Sequence, residues 1–156
     1  MRCLITSLLF LIWLLPLHAG AEGEVIAIII PKAESVKVTS KPELALIFWR
    51  KKLYWASSKR IQPVNLSPDN VLRQKFSLQI LDSPPEDQLE YWNALYFHGT
   101  PPPHVVRSQE AMLRYVADTP GAIGYVDACR ADSRVKAVAW LLTDGSVSHV
   151  QPSLGC

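Results

Sequence analysis

The sequence has little net charge, few cysteines and none of the compact motifs that mark common enzyme classes. Its 16 lysines and arginines stand against 14 aspartates and glutamates, a formal charge of +2 over 156 residues. So balanced a surface gives no electrostatic case for a nucleic-acid partner. No phosphate loop, nucleophile elbow, paired-carboxylate motif or zincin helix is present, so the chain reads as a non-enzyme that needs no cofactor. Cys-x-x-Cys and paired-histidine spacings are missing too, which leaves no metal site to assign. The absence of repeats and low-complexity tracts excludes solenoids and linkers and leaves one domain.

What the chain does have begins with an export signal. Arg2 precedes an apolar run from Leu4 to Leu17, and Ala19-Gly20-Ala21 follows with the small-x-small pattern of a cleavage site. The run is too short for a good membrane span. Residues 1–21 are therefore expected to be a cleaved signal peptide, and 22–156 one secreted domain without a membrane span. The remaining chain of about 135 residues is ample for a real core. Cys129 and Cys156 then remain in an oxidising compartment, which favours a bridge between them over two free thiols. A loop of that length is worth on the order of 3 kcal/mol in the chain-entropy account.

Periodicity divides the rest into alternating elements. Glu24 to Pro31 is a β-branched run that reads as a buried strand. Ser40-Lys41-Pro42-Glu43 has the form of a helix start, and the helix it opens carries Leu44, Ile47 and Phe48 before fading near Lys51-Lys52. Trp55 to Lys59 reads as a turn, and Ile61 to Leu66 as a second strand. Leu72, Phe76 and Ile80 form the stripe of a second helix. Ser83-Pro84-Pro85-Glu86 repeats the cap logic for a third, with Leu89, Trp92 and Tyr96 expected inward. His98 to His104 is a proline-bound loop whose histidines lack ligand partners. A fourth helix opens at Ser108 with Met112, Tyr115 and Val116 buried. Ala122 to Val126 is a strand, and Asp144-Gly145 turns a closing hairpin. Mixed strands and helices of this kind make an α/β domain.

Several pieces resemble a known family. They are LALIFWRKK, the Trp of LYWASSKRIQPV, the unit VNLSPDNVLRQKF, EYWNALYFHGTPPP and PGAIGYV. In order and spacing they are similar to the phosphate-type substrate-binding proteins of bacterial ABC transporters, and above all to half-length relatives. There an Ile-Phe-x-Gly helix, a Trp turn, an Ile-x-Pro-Val strand and a Pro-Gly-x-Ile-Gly-Tyr strand follow one another. The resemblance runs from about Val25 to Val126 and leaves the tail uncovered. It implies one lobe of a type II periplasmic-binding-protein-like fold, a mixed twisted sheet flanked by helices. It also implies a periplasmic address and inorganic phosphate or another oxyanion as the default ligand, in transport or sensing.

In that family the loop after the Ile-x-Pro-Val strand resembles Arg-x-x-Gly-Ser-Gly-Thr. Here it is Asn65-Leu66-Ser67-Pro68-Asp69-Asn70-Val71, without glycine. Ser67 as N-cap, Pro68 and Asp69 in the first turn make an ordinary helix start. Asp69 also repels an anion. The groups that would meet an anion are Ser67, Asn70 and Arg73. The alternative is a periplasmic interaction or structural module that has lost the anion site and meets a protein partner through the aromatics around Trp55 and Phe97. The basic cluster of Arg50, Lys51, Lys52, Lys59 and Arg60 reads as a solvated helix end.

Overall fold

The computed structural model describes residues 24–38 and 40–156, and the expected signal peptide lies outside them. Strand β1 (Ile26–Pro31) is buried along its whole length, because both faces of this β-branched run are covered. It lies between β4 (Ala122–Asp127) and β5 (Val135–Leu141), antiparallel to both. Strand β2 (Gln62–Leu66) runs parallel to β4 on one side and to β3 (His104–Val106) on the other. The Asp144-Gly145 turn joins β5 to β6 (Val147–Ser148), giving the six-stranded order β3-β2-β4-β1-β5-β6. Strand β3 starts inside what the sequence suggests is loop. Three residues after a run of prolines carry no periodicity by which to recognise a strand.

Helices α1 (Lys41–Phe48), α2 (Val71–Leu81) and α4 (Gln109–Asp118) cover the sheet, and α3 (Leu89–Phe97) lies outside them. Successive residues of a strand face opposite ways, and β4 shows where each helix lies. Gly124 faces α4, so closely that a Cβ there would stand 2.4 Å from Met112 Sδ. Tyr125 faces the other side, stacked on Phe76 of α2 at 4.0 Å and tilted against Phe48 of α1 at 5.9 Å. Thus α2 and α4 lie on opposite faces. Their buried stripes, Leu72, Phe76 and Ile80 on one and Met112 and Val116 on the other, are the predicted ones. Tyr115 is only half-buried, stacked on His104 at 4.4 Å.

Two expected details differ. Helix α1 stops at Phe48, short of Lys51-Lys52, because Arg50 takes a left-handed conformation (φ 59°) where the family pattern has glycine. A non-glycine residue there costs on the order of 1 kcal/mol. Helix α3 starts from a short 3₁₀ turn, Pro85–Gln88, and Ser83 makes no cap to it. That entry turns the expected inner stripe outward: Leu89 and Tyr96 are 65% and 66% exposed. The helix is held by Tyr91 and Trp92 against Trp49, and Tyr91 Oη donates to the Trp49 carbonyl at 2.8 Å.

The basic cluster is largely tied down. Lys52 pairs with Glu43, Lys59 with Glu34 at 2.7 Å, and Arg50 Nη1 donates to the Ile61 carbonyl. Cys129 and Cys156 are joined, their Cα atoms 5.7 Å apart, so the tail is fastened to the end of β4.

Gly121, just before β4, gathers three segments. Its carbonyl accepts from Trp55 Nε1 (3.2 Å) and from the Gln62 backbone (3.0 Å), and its own N–H donates to Glu34 Oε1 at 2.8 Å. At φ 80° it sits where a Cβ would lie 2.2 Å from the Arg60 carbonyl oxygen. Gly121→Ala is therefore expected to destabilise the fold by more than about 2 kcal/mol in urea unfolding. A loss within about 0.5 kcal/mol would show that this junction is not needed.

Candidate functional site

The loop after β2 forms a tight turn, and the helix start expected at Ser67 is displaced. The Ser67 N–H donates to the Val106 carbonyl at 3.1 Å, so the residue prolongs the pairing of β2 with β3. Pro68 and Asp69 are the middle of a turn that the Asn70 N–H closes onto the Ser67 carbonyl at 3.0 Å. Asn70 is the N-cap, its Oδ1 accepting from the Leu72 N–H at 2.9 Å. Asparagine caps as well as serine does, and proline suits the second place of a turn as well as the first helical position. Asp69 therefore lies outside the first turn of α2.

This turn stands at the carboxyl end of β2, beside the parallel strand β3. The helix after β2 lies on one face and the helix after β3 on the other, which opens a crevice beyond the carboxyl ends of these parallel strands. Open α/β sheets bind ligands at such a place. The hollow here is lined by Ser67, Asp69, Asn70, Val71 and Arg107. Arg107 follows β3 directly and precedes Ser108, whose hydroxyl caps α4 by accepting from the Ala111 N–H at 3.1 Å. Sequence reasoning missed Arg107 because its approach to Ser67 depends on the unrecognised β3.

Arg73, grouped with Ser67 and Asn70 on sequence, lies in a different place. It is only 5% exposed and belongs to a cavity of ≈ 350 Å³ whose rim includes Pro68. Ser67 and Asp69 line one hollow, and the proline between them lines the other. Nη2 of Arg73 donates to Gln88 Oε1 at 3.0 Å, while Nε and Nη1 are buried and meet no acceptor. Among the described residues no carboxylate pairs with it. Gln88 is itself 1% exposed, and its Oε1 also takes the Trp92 Nε1–H at 3.4 Å. Its Nε2 donates to the Ser83 carbonyl at 2.9 Å.

Beneath the guanidinium, Tyr125 Oη donates to Asn65 Oδ1 and accepts from the Leu66 N–H, both at 3.3 Å. Burial pushes the Tyr125 phenol up, and the nearby charge of Arg73 pulls against that rise. No three His, Cys, Asp or Glu side chains gather as a metal site among the described residues.

No protein-family model matches this sequence, and no curated protein matches it. Solved structures do. An ABC-type phosphate transport receptor from Vibrio cholerae superposes with a TM-score of 0.57 at 19% identity, over 73% of this chain and 46% of that one. A phosphate ABC transporter substrate-binding protein from Clostridium perfringens, solved with bound phosphate, gives 0.59 at 20% identity, over 73% and 44%. PstS from Borrelia burgdorferi gives 0.51 at 14% identity, over 66% and 40%. The chain has a periplasmic-binding-protein-like fold. It spans less than half the length of each of these proteins, as the resemblance to half-length relatives implies.

The loop after β2 lies at the crevice and holds none of the glycines the resemblance leads one to expect. The nearby cation that folding has withdrawn from water is Arg73. An uncompensated buried charge costs on the order of several kcal/mol. Arg73→Met keeps most of the volume, removes that charge and leaves Gln88 Oε1 its Trp92 donor. The variant is expected to be more stable than the parent by about 1 kcal/mol in urea unfolding. A loss of more than about 2 kcal/mol would mean that the guanidinium is better satisfied than its contacts indicate.

Proposed function

We propose that this chain is exported by cleavage after Ala21 and works in the periplasm as a single substrate-binding-protein-like domain, residues 22–156. It takes phosphate or another small oxyanion in the crevice between the ends of β2 and β3, as an accessory to transport or sensing. The observation that carries this reading is the convergence of Ser67, Asn70 and Arg107 on one hollow at the carboxyl ends of the parallel strands β2 and β3. A hydroxyl, a carboxamide and a guanidinium are oxyanion donors, and α2 and α4 both begin at this hollow. Asp69 lies in the same hollow and opposes the anion, which makes the site weak. The superposed proteins are a phosphate transport receptor and a phosphate transporter's substrate-binding protein, which supports binding without catalysis here.

Calorimetric titration of the purified chain with phosphate and sulfate is expected to give saturable binding with Kd of about 1 mM. At tenfold excess such a site adds about 1.4 kcal/mol to stability. Arg107→Ala should weaken it about tenfold and Asp69→Gly should strengthen it. Absence of both heat and a melting shift would overturn the anion reading. An intact N-terminus on the periplasmic protein, where cleavage should leave Glu22, would overturn the export step.

A second reading has an observation of its own. Trp55 is buried at 4% and cannot meet a partner, whereas Tyr96 and Phe97 on α3 are 66% and 86% exposed. Failure of the titration, together with a specific periplasmic crosslink from position 97, would favour the interaction module.

A further inference from the structure

We infer that the cavity behind the 67–70 turn is a second binding site, built for a small carboxylate with a flat apolar body. The charge comes from the Arg73 guanidinium, 5% exposed, with Nε and Nη1 lacking acceptors and no acid paired to it among the described residues. Folding rarely leaves a cation in this state unless something outside the chain completes it. The body of the site comes from Trp92, Tyr96, Pro102 and Pro103, which wall a cavity of ≈ 350 Å³ with mostly apolar surface. That is the small end of the range for ligand pockets, suited to a molecule of about one ring.

Gln88 indicates where the carboxylate sits. Its Oε1 receives two converging donors, Arg73 Nη2 at 3.0 Å and Trp92 Nε1 at 3.4 Å. A neutral amide oxygen thus occupies the spot that a carboxylate oxygen would fill with greater strength, since a hydrogen bond to an ionised acceptor is about twice as strong. On binding, Gln88 gives up its bond to the Ser83 carbonyl, and the carboxylate takes the two donors that its Oε1 held. Phosphate fits this cavity poorly. It carries more charge than one guanidinium offsets, and its outer oxygens would face proline and aromatic carbon. This site does not rest on the crevice at Ser67 and Arg107, because the 67–70 turn separates the two hollows.

Benzoate is the probe, with benzamide as its neutral isostere and phosphate as the competing anion. Benzoate is expected to bind saturably and raise Tm, with benzamide at least tenfold weaker and phosphate unable to compete. Arg73→Met should lower the benzoate affinity at least tenfold, and Arg107→Ala should leave it unchanged. Gln88→Glu places a carboxylate on the same two donors from within. It should abolish benzoate binding, a readout that does not depend on Arg73→Met folding. No benzoate binding to the parent, binding that survives Arg73→Met, or binding that survives Gln88→Glu would each overturn the proposal. Phosphate binding that is lost with Arg107→Ala alone would uphold the crevice and say nothing against this cavity. Competition of phosphate with benzoate would overturn the separation of the two.

Discussion

The fold turns on a backbone contact that tolerates no side chain. Gly121 presses on the Arg60 carbonyl, takes the Trp55 indole and the Gln62 amide on its own carbonyl, and gives its N–H to Glu34. Those four contacts join the loop after β1, the tryptophan turn, the start of β2 and the start of β4. They set β2 and β4 side by side in parallel, from Gln62 opposite Ala122. Everything functional follows from that alignment, because β2 then delivers its carboxyl end, and the 67–70 turn, to the point where helices leave on opposite faces.

A second constraint comes from electrostatics. The first turn of α2 sends Arg73 inward beside the Tyr125–Asn65 pair and Gln88, and among the described residues no carboxylate pairs with it. Proteins ordinarily neutralise or pair such a group. Here its neighbours are the neutral Gln88, which Trp92 also meets, and the hydroxyl of Tyr125. The core around Tyr125, Phe76 and Phe48 is well packed and aromatic, so the deficit is confined to one side of one side chain. Stability given up at that spot is available to whatever anion completes it.

Much of the architecture was legible in the sequence because period and punctuation agreed. The β-branched run of β1, the stripes of α2 and α4, the serine caps at Ser40 and Ser108 and the Asp-Gly hairpin are local signals with local causes. Gly121 and Gly124 belong to the Pro-Gly-x-Ile-Gly-Tyr segment that carried the resemblance, and the structure gives each a steric reason. The site was less legible because it is assembled by tertiary contacts. Arg107 reaches the Ser67 hollow only through the short strand β3. Arg73 parts from Ser67 and Asn70 because the turn at Pro68 moves the cap to Asn70. The exposed face of α3 follows from a 3₁₀ entry that its apolar spacing does not encode.

The central claim is that the cation buried at Arg73, beside the crevice at the ends of β2 and β3, is held open for a carboxylate. The most direct measurement is the proton–nitrogen NMR spectrum of the ¹⁵N-labelled chain during a benzoate titration, following the Trp92 indole N–H and the Arg73 Nε–H. The account expects both resonances to move together and saturate at one Kd, with the other indole signals largely still. Saturable binding that leaves the Trp92 and Arg73 resonances in place would contradict it.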